Sequence, residues 1–406
     1  GCGTPYVYYW KSNSSTPIWK DEDGGLGEVG MSDSGVHMIT RSSEEFLYYS
    51  TNIPHWTNAN LSGWETAISA DGEYIVTSGS TKCHLATSEN NTPLWSFTAS
   101  DNMHAVAISE DGEYVACGSH DGYVYFFDKD SNTPLWSSDI NREILDLAIS
   151  EDGEYLVAGA NCNTSSCDGN IFLFDKDYTD DEELWYYEAS DVVESVAISA
   201  NGDYIVAGSD DNKVYLFNKG SNTPIWTYED NSDIIRVKIS SDGNYILAAS
   251  QTEEVFLFGR NSSNPIHTLD FPSEASTLDI SANGEYFVVG TRSSDEKVYL
   301  FHKDSSSALW SHSVLDAIMA VSISADGKYV AAGTYRGDDG GTILFYDRSS
   351  SLPLWKNITS SNIDSGFGTS EIISLSAGKR VRVMPSDTIR ASHKMGAPLA
   401  SAAFAF

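Results

Sequence analysis

Apolar residues fall in short runs of four to six along most of the chain, β-branched or aromatic in character and bounded by Gly, Asn, Asp, Ser or Pro. Such a cadence predicts strands separated by tight turns. In one stretch SVAIS (195–199) turns through Asn201-Gly202, where a positive φ is wanted, into YIVAG (204–208), and KVYLF (213–217) then leads to PIWTY (224–228). Four strands make one unit. The runs are apolar on both alternating faces, which suits strands covered on each side.

The unit recurs. AISADGEYIV (67–76), AISEDGEYVA (107–116), AISANGDYIV (197–206), DISANGEYFV (279–288) and SISADGKYVA (322–331) share one register. Turn glycines stand at Gly35, Gly72, Gly112, Gly153, Gly202, Gly243, Gly284, Gly327 and, in a degenerate copy, Gly378. A second marker is an aromatic residue behind a polar turn, as in DKDSNTPLW (128–136), NKGSNTPIW (218–226) and DRSSSLPLW (347–355). It falls at Trp19, Trp56, Trp95, Trp136, Trp185, Trp226, Trp310 and Trp355, with His267 taking the place once. Each marker therefore counts nine. The opening Asp-x-Asp-x-Asn of DKDSN departs from a calcium loop, because the sixth position is Thr133 and the glutamate at the twelfth is missing.

A period near 40 residues with four strands each predicts radial sheets packed face to face, a β-propeller. The pattern resembles the WD-repeat and quinoprotein-like propeller families over nearly the whole chain. The Gly-His and Trp-Asp dipeptides of WD repeats are absent, and the closing tryptophan looks more like the docking positions of quinoprotein propellers. That resemblance implies that Trp136 and its equivalents tie each blade to its neighbour. Residues 5–19 supply the last two strands of a unit and residues 370–386 the first two, so the two ends are expected to close one all-β ring over residues 1–384, with 385–406 as an extended tail. Nine blades follow from the count, and eight with one displaced repeat is the alternative.

Charge narrows the partners. The net charge is −34, which argues against nucleic acid and anionic membrane as partners of the body. From Lys379 onward five Lys or Arg face Asp387 alone, a net of +4, so the acid is concentrated in the rest of the chain. No apolar run approaches the roughly 20 residues of a membrane span. Gly1 in place of Met suggests a processed, exported product, and Gly1-Cys2 suits the remnant of a lipoprotein signal. Sequons at Asn13, Asn60, Asn90, Asn163, Asn261 and Asn357 fit an extracellular glycoprotein. Of five cysteines, Cys162 and Cys167 are close enough for a local disulfide; Cys2, Cys83 and Cys117 are an odd remainder, one of them free or bonded outside the chain.

Catalytic chemistry is weakly represented. GLGEVG (25–30) has the letters of a dinucleotide fingerprint without the preceding strand and following helix. HExxH, GxSxG and Walker patterns are missing, and so is the adjacent-cysteine pair that a quinoprotein dehydrogenase would carry. No enzyme activity, metal or cofactor is expected, a quinoprotein-like oxidoreductase standing as a second alternative. The variable loops NCNTSSCDGN (161–170), TYRGDDGG (334–341) and KNITSSNIDSGFGTS (356–370) share one face and suit binding of a saccharide or protein by a monomeric surface propeller. The segment GAPLASAAFAF (396–406) is uncharged and surplus to the propeller. The leading expectation is an exported propeller that assembles with its own copies into a filament or surface layer, with Arg390, Lys394, Leu399, Phe404 and Phe406 at the subunit interface.

Overall fold

The computed structural model describes the strands within residues 7–58 and then residues 65–161, 169–178, 183–314, 316–335 and 342–358. All regular structure there is β, apart from one turn of 3-10 helix at Ser293–Asp295. A two-stranded sheet comes first, β1 (Val7–Trp10) with β2 (Pro17–Asp21). The next sheet holds β3 (Glu28–Met31), β4 (His37–Arg41), β5 (Phe46–Ser50) and β6 (Ile53–Asn58). After it come β7 (Glu65–Ile68), β8 (Tyr74–Gly79), β9 (Lys82–Thr87) and β10 (Asn90–Thr98), then β11 (Met103–Ile108), β12 (Tyr114–Ser119), β13 (Tyr123–Asp128) and β14 (Trp136–Asp139). Two more follow: β15 (Ile144–Ile149), β16 (Tyr155–Ala160), β17 (Asn170–Asp175), β18 (Trp185–Glu188), and β19 (Val193–Ile198), β20 (Tyr204–Ser209), β21 (Lys213–Asn218), β22 (Ser221–Glu229). The last three sheets are β23 (Ile234–Ile239), β24 (Tyr245–Ser250), β25 (Glu254–Gly259), β26 (His267–Asp270); β27 (Ala275–Ile280), β28 (Tyr286–Thr291), β29 (Lys297–His302), β30 (Trp310–Ser313); and β31 (Ala317–Ile323), β32 (Tyr329–Tyr335), β33 (Thr342–Asp347), β34 (Trp355–Ile358).

Every four-stranded sheet is an antiparallel meander of consecutive strands, so each is one sequence unit. Among the described residues the nine joint aromatics fall in eight four-stranded sheets and one two-stranded sheet. Residues 370–384, expected to complete the ninth, lie outside the described residues. First strands of successive sheets lie side by side from β3 to β31, and β3 also lies against β31 and β32, while β1 lies against β34. The fingerprint-like GLGEVG runs into β3 rather than into a helix.

Because both faces of a strand are apolar, the core lies between sheets. One layer joins Val76, Leu85 and Trp95 to Val106, Val115 and Phe127 of the next sheet, and another joins Leu173 and Trp185 to Val196, Ile205 and Phe217. Each fully buried side chain of this size contributes roughly 1.5–3 kcal/mol. A register is then needed to hold neighbouring layers, and the turn residues provide it.

In the inner turn Ser199 is buried and accepts from Tyr204 N–H, while Asn201 Oδ1 accepts from Asp203 N–H; Ser150, Asp152 and Tyr155 repeat the arrangement. Only Gly202 has a positive φ, +71°. The Asn-Gly expectation is corrected accordingly: Asn201 acts through its side chain. A Cβ on Gly202 would run into the ring of Tyr155 from the preceding sheet, so glycine is required both by φ and by close approach. Beyond each turn serine, backbone bonds cross from sheet to sheet, Ala70→Glu110→Glu151→Ala200→Ser241→Ala282→Ala325, at 2.9–3.1 Å.

The outer turn makes a second joint. Indole N–H groups of Trp95, Trp136, Trp185, Trp226 and Trp310 donate to the carbonyls of Lys129, Lys176, Lys219, Arg260 and Arg348 in the following sheet, at 2.7–3.0 Å. His267 Nε2 lies 2.9 Å from the Lys303 carbonyl; a carbonyl can only accept, so that nitrogen carries the proton. The same basic residues stack on tyrosines of the previous sheet, Lys219 on Tyr155 and Arg260 on Tyr204, both at 4.4 Å. DKDSNTPLW is therefore a structural joint.

Candidate functional site

Alternation along the first strands sends every second residue to the inner side. Two residues before the turn serine stand Ala67, Ala107, Ala148, Ala197, Lys238, Asp279 and Ser322; four before it stand Glu65, Ala105, Asp146, Ser195, Arg236, Thr277 and Ala320. A cavity of about 130 Å³ lies among β11, β15, β19, β23 and β27, with Ala107, Ala148, Ala197, Lys238, Asp279 and Asp146 in its wall. Two of its carboxylates, those of Asp146 and Asp279, are held by the backbone of the next sheet. Asp146 Oδ2 accepts from Val196 N–H at 2.8 Å and Asp279 Oδ2 from Ile323 N–H at 2.9 Å; outside the cavity, Glu65 Oε2 accepts from Val106 N–H at 2.7 Å. Burial pushes the Asp146 carboxyl up to about 6, against the pull of Lys238 and the Val196 N–H. Charges of both signs in a small space suit ordered water or a small polar solute. Among the described residues no group of three or more His, Cys, Asp or Glu is arranged to hold a metal.

On the loop face His104 stacks on His120 with centroids 4.9 Å apart. Burial holds the His104 imidazole at about 4, helped by His120 and Arg236, so it is neutral at ordinary pH. Further round, Asp210 stands among Glu194, Asp233, Asp191 and Asp211, and burial together with those like charges pushes it up to about 7.

The rim has a regularity that the sequence reading missed. Leu94, Leu135, Leu184, Ile225, Ile266, Leu309 and Leu354, each just before the joint aromatic, are 44–55% exposed. Alternation turns them away from the joint as it turns the aromatic in. Exposed single aliphatics are ordinary, but one at the same register in every sheet from β7 to β34 makes a girdle. The signal was legible in TPLW, TPIW, NPIH and LPLW as an apolar pair at a position where only one residue can face the core.

Of the expected sites, Asn261 is exposed in the turn after β25. Asn90 opens β10 and Asn357 lies in β34. Asn13, Asn60 and Asn163, Cys162 and Cys167, and Arg390, Lys394, Leu399, Phe404 and Phe406 lie outside the described residues. The disulfide that is described joins Cys83 in β9 to Cys117 in β12 of the next sheet, two cysteines left without an assignment by spacing. Their pairing could have been found from topology, because third and second strands of adjacent units share one core layer.

Comparison with known proteins places this architecture. Residues 91–128 match the WD domain, G-beta repeat, and residues 174–351 match a family of unknown function, DUF5711. No curated protein matches. A crystal structure of the computationally designed Ika8 protein is similar with a TM-score of 0.67 at 13% identity, covering 80% of this chain and 96% of that one. The chain is a WD-repeat-like β-propeller without a close match to a single protein.

Proposed function

We propose that this propeller is a structural subunit, exported and glycosylated, that assembles with copies of itself into an extracellular filament or surface layer through residues 385–406. The observation that carries the reading is the aliphatic girdle, a surface that folding leaves uncovered in every sheet from β7 to β34. The Cys83–Cys117 disulfide supports an oxidising compartment, and exposed Asn261 supports a surface open to sugar. The eight four-stranded sheets close as one ring in this reading, which the approach of β3 to β31 supports. No catalytic role is assigned. Sedimentation of the full chain and of a chain lacking residues 385–406 tests the reading: the first should polymerise and the second remain a folded monomer. Equal behaviour of the two would reject it.

A second reading, a monomeric surface propeller that binds a protein or saccharide on its loop face, draws on the acidic group around Asp210. Under it the full chain stays monomeric at high concentration and low salt.

A further inference from the structure

We infer that the joint between the sheets β11–β14 and β15–β18 carries a binding site for a ring-bearing organic ammonium ion, in a cavity that a missing side chain leaves open. This goes beyond the assembly reading and does not depend on it. At three other joints the second residue after the joint aromatic fills the layer with a ring. Phe97 of β10 packs on Tyr125, Tyr187 of β18 on Tyr215 and Tyr228 of β22 on Phe256, with centroids 4.6, 5.2 and 5.0 Å apart. In β14 that position is Ser138, and Phe172 of β17 takes the place of Tyr125, Tyr215 and Phe256.

A cavity of about 380 Å³ opens here, lined by Ser138, Asp139, Ile140, Phe172, Tyr178 and Glu183. Tyr178 bounds it: its ring centroid lies 5.0 Å from that of Trp136, and its hydroxyl donates to Ser138 Oγ at 3.2 Å. It comes from a longer outer turn, DKDYTDDEELW (175–185) against DKDSNTPLW (128–136). An apolar cavity of about 150 Å³ already admits benzene, so a single ring fits with room for a charged head. Tyr186 stands where other sheets have Ser137 or Thr227. It stacks on Phe172 with centroids 6.1 Å apart, is 45% exposed, and continues the aromatic surface into solvent.

Charge selects the class of ligand. Asp139 and Glu183 put two carboxylates in the wall, and no lysine, arginine or histidine stands among the described lining residues. Asp139 Oδ1 accepts from the Asn141 N–H at 2.9 Å, which holds that carboxylate in place. In sequence the turn DYTDDEE (177–183) has five acidic residues and no basic one. An anion is repelled there, and a neutral ring would take the carboxylates from water without a counter-charge. An ammonium ion attached to a ring meets both demands: the ring lies against Phe172 and Tyr178, and the charge meets carboxylates and aromatic faces.

Isothermal titration of the full chain with benzylammonium, and with benzyl alcohol as its neutral counterpart, tests the site. The cation should bind saturably and at least about tenfold more tightly than the alcohol. Ser138→Phe restores the ring that Phe97 supplies in β10 and should abolish binding while near-ultraviolet circular dichroism stays native. Should that variant fail to fold, Ser138→Leu, the residue type of Leu269 at the same position in β26, replaces it. Glu183→Gln keeps the cavity and should weaken the cation about threefold without weakening the alcohol. Absence of saturable binding by the unmodified chain would overturn the proposal. Alcohol binding as tightly as the cation, or methyl glucoside binding more tightly than either, would reject the ammonium class. Undiminished binding by a folded Ser138 variant would put the cation elsewhere on the acidic surface and reject the site.

Discussion

Two joints of the same design differ in one residue. Trp136 is buried, stacks on Phe126 at 5.0 Å with the rings 8° from parallel, touches Phe174 and Tyr178, and donates to the Lys176 carbonyl. His267 is only half-buried yet sends its ring N–H to the equivalent carbonyl, that of Lys303. The shared element is therefore one N–H aimed across the joint. The large apolar ring is an addition that seals the core layer behind it.

The contrast can be broken most severely at Trp136. Trp136→Ala should cost about 3–5 kcal/mol, through lost burial and the cavity left behind. Urea unfolding measures it, and a loss under about 1 kcal/mol would mean that the ring is dispensable. Next comes the joint that is covalent as well. Replacing both Cys83 and Cys117 by Ala should cost about 2–4 kcal/mol, since a cross-link 34 residues apart restricts the unfolded chain. Adding a thiol reductant to the native protein should give a loss of the same size.

His267→Ala should cost only about 1 kcal/mol, the value of a neutral hydrogen bond. A cost equal to that of Trp136→Ala would refute the separation of hydrogen bond from ring. Smallest is a pH effect away from the joints. Asp210 has a folded pKa of about 7, above its unfolded value, so the cost of ionising it is fully present above pH 7 and fades as pH falls towards the unfolded value. Asp210→Asn should thus be more stable than the native chain at pH 8, with the difference shrinking by pH 4.5. His104 and His84, held at about 4, destabilise the fold as pH drops below 6.5 in both proteins and cancel from the comparison.

Repeat and turn chemistry made most of the fold legible. Ser199, Gly202 and Trp226 recur at fixed intervals because each meets a neighbouring unit, and a contact repeated in space repeats in sequence. Lys238 and Asp279 were not legible as a pair: they lie one repeat apart in the same register, and their proximity exists only once the first strands stand side by side. Cys83 and Cys117 were hidden from spacing alone, because they meet only across the layer between a third strand and the next sheet's second strand. Asn201 was misjudged because the Asn-Gly pair fits a two-residue hairpin, whereas the buried Ser199 hydroxyl holds a longer turn in which only Gly202 reverses handedness.

The crossing bonds from Ala70 through to Ala325 use peptide groups alone. Side chains at these positions are Ala, Glu and Ser, so the link is indifferent to what a unit carries. A duplicated unit can enter such a series by giving one bond and taking one, with no new complementary surface to evolve. Growth by whole units is then mechanically inexpensive, and tension along the series passes through the backbone from one unit to the next, as along a chain of links.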